Sequence, residues 1–261
     1  MIHWYLGTIG YSYKEWVGGF YPPGTIPREY ISFYSKVFNT VEIDTSFHST
    51  PRLASIQAWQ ALVPQNFIFC FKTPKVITHE MQLFNVEGLM TEFLNAIQPL
   101  KGSLGPVLIQ LPPSFRLDRI RALHDFFQTL PLEFTYAIEL RHSSWYTEQT
   151  TDLLSQFGIC WVAIDFPKIP RQIIKTANFY YVRWIGVNGM YQHHSFERVT
   201  KNDQLRWWLN AIQNTVPDNS LLYGYFNNDY TGFAAGTCKR FLSMAGYSDL
   251  ENNLPYQDRL F

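Results

Sequence analysis

Two periods of apolar and polar residues alternate along this chain. Short runs with period two, or almost wholly apolar, read as strands: LGTIG (6–10), TVEID (40–44), FIFCFK (67–72), PVLIQL (106–111), YAIELR (136–141), CWVAID (160–165), FYYVRW (179–184) and LLYGYF (221–226). Between them, apolar residues at helical spacing predict helices over 28–38, 53–63, 86–100, 118–130, 147–157, 203–216 and 232–245. The stretch 170–178 is short, so the helix after the sixth strand is weak or missing. Strand and helix alternating in this way predict an α/β fold with a parallel sheet. Eight such units closed on themselves predict a single-domain TIM-type (β/α)8 barrel over residues 1–261, since about 250 residues is typical of that fold. An open doubly wound sheet is the alternative. It would carry a glycine-rich phosphate turn after the first strand, which GTIGYSY matches poorly.

Side chains alternate along a strand, so parity sorts them into two faces. Phe67, Phe69 and Phe71 oppose Ile68, Cys70 and Lys72. Val41 and Ile43 oppose Glu42 and Asp44. Ile138 and Leu140 oppose Glu139 and Arg141. Val162 and Ile164 oppose Ala163 and Asp165, and Val182 and Trp184 oppose Tyr181 and Arg183. Each strand has one apolar face, expected to meet the helices, and one face that becomes charged toward its end. The second face is expected to point inward and to reach the C-terminal mouth, where barrel enzymes place their chemistry. The expected mouth set is Glu42, Asp44, Lys72, Gln110, Glu139, Arg141, Asp165, Arg183 and Asn228. A buried layer of mutually neutralising ion pairs is the competing account of the same residues.

Composition narrows the function classes. The formal net charge is zero, which argues against a non-specific nucleic-acid partner. Cys70, Cys160 and Cys238 form no CxxC pair and no disulfide framework, so buried thiols in a reducing, cytoplasmic setting are expected. The N-terminus has no signal-peptide pattern, and no apolar run approaches the roughly 18 residues that span a bilayer, so no membrane partner is expected. Oligomeric state is left open.

Several stretches together resemble the YecE-like family, also called domain of unknown function 72. They are GTIGYSYKEWVGGFYPPG (7–24), FNTVEIDTSFHSTP (38–51), FIFCFKTPKVITHE (67–80), LGPVLIQLPPSF (104–115), YAIELRHSSW (136–145) and GYFNNDYTGFAAG (224–236). The resemblance implies a TIM-type barrel and implies no reaction. The chain departs from the family pattern at His48, where a tyrosine is usual, and after Arg183, where Trp184 and Ile185 replace a usual histidine.

The chemistry expected at the mouth follows from residue type. Glu139 and Arg141 lie two apart on one strand, and the arginine keeps the carboxylate ionised. Glu139, Asp165 and Lys72 are the candidate catalytic groups. Glu42, Asp44, Gln110, Arg141, His142, Trp145, Arg183, Asn227, Asn228 and Asp229 are the candidate substrate-binding groups. The stretch FNNDYTG (226–232) before a helix is expected to help bind phosphate or carboxylate, with a capped turn as the plainer account. Trp16, Phe20, Tyr21, Trp145 and Tyr146 form either a stacking surface or, more in keeping with so aromatic a chain, a hydrophobic plug. The loop 15–27 is long enough for a lid. No HxH or HExxH pattern occurs, so no cofactor is predicted and a divalent metal stays open. The expected function is an enzyme acting on a small polar molecule that bears a phosphate or carboxylate. A metal-dependent nuclease-like barrel and a non-catalytic ligand sensor are the alternatives.

Overall fold

A computed structural model describes residues 1–247; the end of the domain expected over 1–261 lies outside the described residues. Among the described residues nine strands form, all pairing in parallel: β1 (His3–Thr8), β2 (Thr40–Ile43), β3 (Ile68–Lys72), β4 (Leu104–Gln110), β5 (Tyr136–Glu139), β6 (Cys160–Trp161), β7 (Ala163–Asp165), β8 (Phe179–Trp184) and β9 (Leu221–Phe226). The helices are α1 (Tyr30–Val37), α2 (Leu53–Leu62), α3 (Glu87–Ile97), α4 (Ile120–Gln128), α5 (Glu148–Gln156), α6 (Asn202–Thr215), α7 (Asn228–Thr231) and α8 (Ala234–Met244). All seven expected helices are present within a few residues of their expected ends. The four-residue α7 was not anticipated.

The strands are not hydrogen-bonded into one eight-stranded sheet. They form a four-stranded sheet, in the order β1-β9-β8-β7, and a five-stranded sheet, β2-β3-β4-β5-β6. Each division has a local cause. Residues 160–165, expected as one strand, divide at Val162: β6 pairs with β5, and β7 pairs with β8. Between β1 and β2, side chains replace most of the backbone ladder. Asn39 accepts from Leu6 N at 3.1 Å and donates to Trp4 O at 2.8 Å. The Tyr34 hydroxyl accepts from Thr8 N at 2.8 Å and donates to Thr40 O at 3.1 Å. One isolated bridge, Ile9 with Glu42, completes this seam. Gly7 is required there, because a Cβ would lie 2.1 Å from Thr40 O.

Two apolar clusters divide the interior. The larger packs helices against strand residues such as Val41, Phe69, Phe71, Ile109, Ile138, Val182 and Trp184. The smaller gathers Ile68, Cys70, Leu108, Ala137, Val162, Ile164, Tyr181, Tyr223 and Tyr225 between the sheets. Parity therefore assigned β2, β3, β5 and β8 to their observed faces. It assigned 160–165 to the opposite face: Val162 and Ile164 point between the sheets, while Ala163 packs with the helix-side cluster. The face between the sheets is itself apolar along much of its length, so an apolar face need not be the one that meets helices.

Residues 170–178 form no helix. Thr176 pins this stretch by accepting from Trp161 N at 2.8 Å and donating to Ile159 O at 2.7 Å. Trp16, Phe20 and Tyr21 are buried, with Trp16 edge-on to Phe20 and Phe233 and Tyr21 stacked on Tyr30 at 4.4 Å, so this part of the 15–27 loop is an aromatic plug. Among the described residues no helix is long and apolar enough to cross a membrane.

Candidate functional site

Parallel pairing brings the ends of the strands together, and the charged residues collect there. Arg183 at the end of β8 is 3% exposed, while Glu42 on β2 and Glu139 on β5 are fully buried. Arg183 Nη2 donates to Glu42 Oε1 at 2.7 Å, and Nη1 donates to Glu139 Oε2. The second oxygen of each carboxylate is also occupied. Tyr181 OH donates to Glu42 Oε2 at 2.8 Å, and Arg141 Nε donates to Glu139 Oε1. The strand pattern places Tyr181 on the inward face, but its residue type does not mark it as part of the site. Its position two residues before Arg183 on the same strand was the available signal.

The two buried carboxylates differ. Burial raises the Glu139 carboxyl, but Arg141 and Arg183 together outweigh it and hold it down at about 2. Burial pushes Glu42 up by more than Arg183, Tyr181 and Lys72 draw it down. The Arg183 guanidinium, despite its desolvation, is raised by Glu139 and Glu42 and stays charged. Lys72, at the end of β3, is only partly buried. Burial and the charge of Arg183 lower its ammonium to about 8, against opposing pulls from Glu139 and Glu42. Its Nζ lies 3.7 Å from the centroid of the Phe47 ring.

A neutral corner adjoins this cluster. Gln110 Nε2, at the end of β4, donates to Leu111 O at 2.9 Å and lies 3.3 Å from His79 Nε2. His79 Nδ1 lies 2.9 Å from Thr78 Oγ1. An amide donor at Nε2 requires the neutral tautomer that carries its proton on Nδ1. Burial, Lys72 and Arg141 lower the imidazole to about 4, consistent with that tautomer. His79 belongs to a π-helical turn, Val76–Glu80, a local irregularity frequent at functional sites.

The remaining expected site residues divide by place. Asp44, just beyond β2, is half-buried, and its charge together with those of Asp229 and Glu42 acts on the Tyr13 hydroxyl, whose own burial is the larger reason that it is held up. Nothing in GYSYKEW distinguishes Tyr13 from the neighbouring aromatics. Asn227 caps α7 by accepting from Asp229 N at 2.7 Å, and Asn228 Oδ1 accepts from Ala234 N at 3.0 Å at the start of α8. Asn228 Nδ2 is buried with no hydrogen-bond partner among the described residues. Asp229 Oδ2 accepts from Gly189 N at 3.0 Å. Capping thus employs much of FNNDYTG, while the Asn228 amide, which interacts with the Tyr13 hydroxyl, takes no part in it.

Three expected site residues stand apart from the Arg183 cluster. Asp165 does not join Glu139. It accepts from Trp208 Nε1 of α6 at 2.9 Å, from Tyr230 OH at 2.7 Å and from Arg171 Nε at 2.9 Å. The reversed phase of 160–165 places it on the helix side, beside a cleft of about 440 Å³ that Arg171, Lys201 and Tyr191 also line. Trp145 is fully buried, stacked on Phe115, and donates to Phe115 O at 2.8 Å, which makes it a packing residue. His142 Nδ1 accepts from Ser144 N at 3.1 Å and so caps the turn Ser143–Trp145. The three cysteines are free and buried. Among the described residues no three His, Cys, Asp or Glu side chains are grouped to hold a metal ion.

Parallel sheets with covering helices and a buried Glu–Arg–Glu bridge at the strand ends define an α/β protein with a polar cluster at one end of its sheets. The chain belongs to the family described as protein of unknown function DUF72, whose model matches residues 5–258. It is 28% identical to the UPF0759 protein YecE of Escherichia coli strain K12 over 228 residues, 78% of this chain and 81% of that protein. It is 25% identical to the UPF0759 protein YunF of Bacillus subtilis, covering 92% and 94% of the two chains. The crystal structure of a DUF72 family protein from Thermotoga maritima superposes with a TM-score of 0.82 at 27% identity, covering 94% of this chain and 99% of that one. A DUF72 family protein from Enterococcus faecalis shares the fold, with a TM-score of 0.78 at 21% identity.

Proposed function

We propose that the two sheets act as the wall of one TIM-type barrel, and that its C-terminal mouth is the active site of an enzyme for a small polar substrate bearing a phosphate or carboxylate. The observation that carries this reading is charge. Arg183, Arg141 and Lys72 converge on two carboxylates, Glu42 and Glu139, which leaves one positive charge unmatched when Lys72 is protonated. A layer built only to neutralise itself has no need of the third cation.

Arg183 is committed to both glutamates and sets the frame. Arg141 uses only its Nε toward Glu139, and its side chain keeps 19% of its surface exposed, so its terminal nitrogens serve the substrate anion. Lys72 and the amide of Asn228 add donors. The Ile9–Glu42 bridge supports closure at one seam. Three buried free thiols suit a reducing cytoplasm.

The test is thermal melting of the purified chain with inorganic phosphate, malonate and citrate, for wild type, Arg141→Gln and Lys72→Met. Occupancy at about a hundredfold excess over Kd stabilises by roughly 2.7 kcal/mol, and both variants should lose most of that gain. No stabilisation by any anion, or equal stabilisation of all three proteins, removes the reading.

A further inference from the structure

Among the described residues, Lys72 is the one cation of the mouth that makes no direct ion pair. Glu42 accepts from Arg183 and Tyr181, and Glu139 from Arg141 and Arg183, so all four carboxylate oxygens are taken. Among the described residues the Lys72 amine has no hydrogen-bond or ion-pair partner, only the face of Phe47. It sits on a strand, a rigid support, and its backbone is held in place: Lys72 O accepts from Ser46 Oγ at 2.7 Å. Unlike the glutamates beside it, Lys72 is not fully buried.

We propose that Lys72 is a nucleophilic amine that forms an imine with a small aldehyde or ketone carrying a carboxylate or phosphate group. The proposal rests on the anion site above for recognition of the substrate's charge, with Arg141 as its partner. Two features favour the free amine. Burial and the nearby Arg183 charge bring the ammonium down to about 8, so the free amine is more populated at neutral pH than in an ordinary lysine. The Phe47 face works in the other direction, since a ring face favours the ammonium, but it offers no base to pair with.

The step balances without an oxidant or reductant. The nitrogen lone pair forms the C–N bond to the carbonyl carbon while the carbonyl π pair moves to oxygen, which takes up a proton. The carbinolamine then loses its hydroxyl and the remaining nitrogen proton as water, leaving C=N. Protonation of that nitrogen acidifies the neighbouring C–H or C–C bond, the activation common to Schiff-base enzymes.

The experiment uses the full chain with pyruvate and glyceraldehyde 3-phosphate as carbonyl anions, acetone as a neutral carbonyl, and lactate as an anion with no carbonyl. Each is incubated with and without sodium borohydride and read by intact mass, peptide mapping and thermal melting. The expected result is one reduced adduct per chain from a carbonyl anion, mapped to Lys72, several-fold above any adduct on the exposed, ion-paired Lys75. The adduct should be absent in Lys72→Met. No adduct at Lys72 from any carbonyl probe, or labelling no greater than at Lys75, overturns the proposal. That comparison is made within the wild-type protein and does not depend on a variant folding. If lactate and pyruvate both raise the melting temperature and no adduct forms, the imine falls and the anion site stands. If acetone labels Lys72 as readily as pyruvate, the imine stands and the anion site falls.

Discussion

Arg183 and Glu42 meet across the two sheets: Nη2 of the arginine, on β8 of the four-stranded sheet, lies 2.7 Å from Oε1 of the glutamate, on β2 of the five-stranded sheet. With its second terminal nitrogen on Glu139 of β5, one guanidinium ties one sheet to two strands of the other. Removing one partner of a buried ion pair leaves an uncompensated charge, which is strongly unfavourable. Arg183→Met should therefore lower stability by about 3–5 kcal/mol in urea unfolding. Arg183→Lys should recover only part of this, because a single ammonium cannot match a two-pronged fork. A loss below about 1 kcal/mol for both, the range of exposed pairs, would show that the bridge does not hold the sheets together.

The seam between β1 and β2 depends on a hydroxyl. Tyr34 OH accepts from Thr8 N and donates to Thr40 O, two buried backbone groups with no ladder partner across the seam. Tyr34→Phe keeps the ring and removes both bonds, so a loss of about 1–3 kcal/mol is expected. Faster amide exchange at Thr8 than at Leu222 of β9 should accompany it. Unchanged exchange at Thr8 would mean that another group replaces the hydroxyl.

Acid should weaken the fold through His79. Its imidazole stays neutral down to about 4 in the folded chain, against 6.5 for an unperturbed histidine. Between those values the unfolded chain binds more protons, so stability rises with pH through this window and is flat above it. Urea midpoints at pH 4.5 and 7 should differ less for His79→Gln than for wild type. A midpoint near 6.5 in an NMR titration of the His79 ring would contradict both the shift and the tautomer fixed by Gln110.

Asp165 should act on stability rather than on anion binding. Its carboxylate accepts from Trp208, Tyr230 and Arg171, so Asp165→Asn replaces an acceptor-only group with one that brings two donors into a site full of donors. A loss of about 1–3 kcal/mol is expected, with phosphate or malonate affinity at the Arg183 cluster unchanged. A large loss of affinity with little loss of stability would return Asp165 to the mouth chemistry.

The sequence by itself determined the elements and most of their faces. The period of two in FIFCFK and FYYVRW and the helical spacing in residues 203–216 are local properties, set by backbone geometry and by which side chains leave water, and they survive into the fold. So does the convergence of Glu42, Lys72, Glu139 and Arg183, because parallel strands that end in charges bring those charges together. Only the tertiary structure decided the rest. Parity divides CWVAID into two faces but cannot say which one a neighbouring helix will cover; that choice fell to Trp208 and Tyr230, which arrive from distant sequence and draw Asp165 to their side. His142 and Trp145, adjacent to a functional-looking pair, were claimed by a turn and by Phe115. The division into two sheets was likewise hidden, since Asn39 and Tyr34 replace backbone bonds only once β1 and β2 lie side by side. What leaves Lys72 unpaired is equally non-local: it depends on how many donors from β8 and from the loop after β5 reach the four carboxylate oxygens on β2 and β5, a count that exists only after the chain has folded.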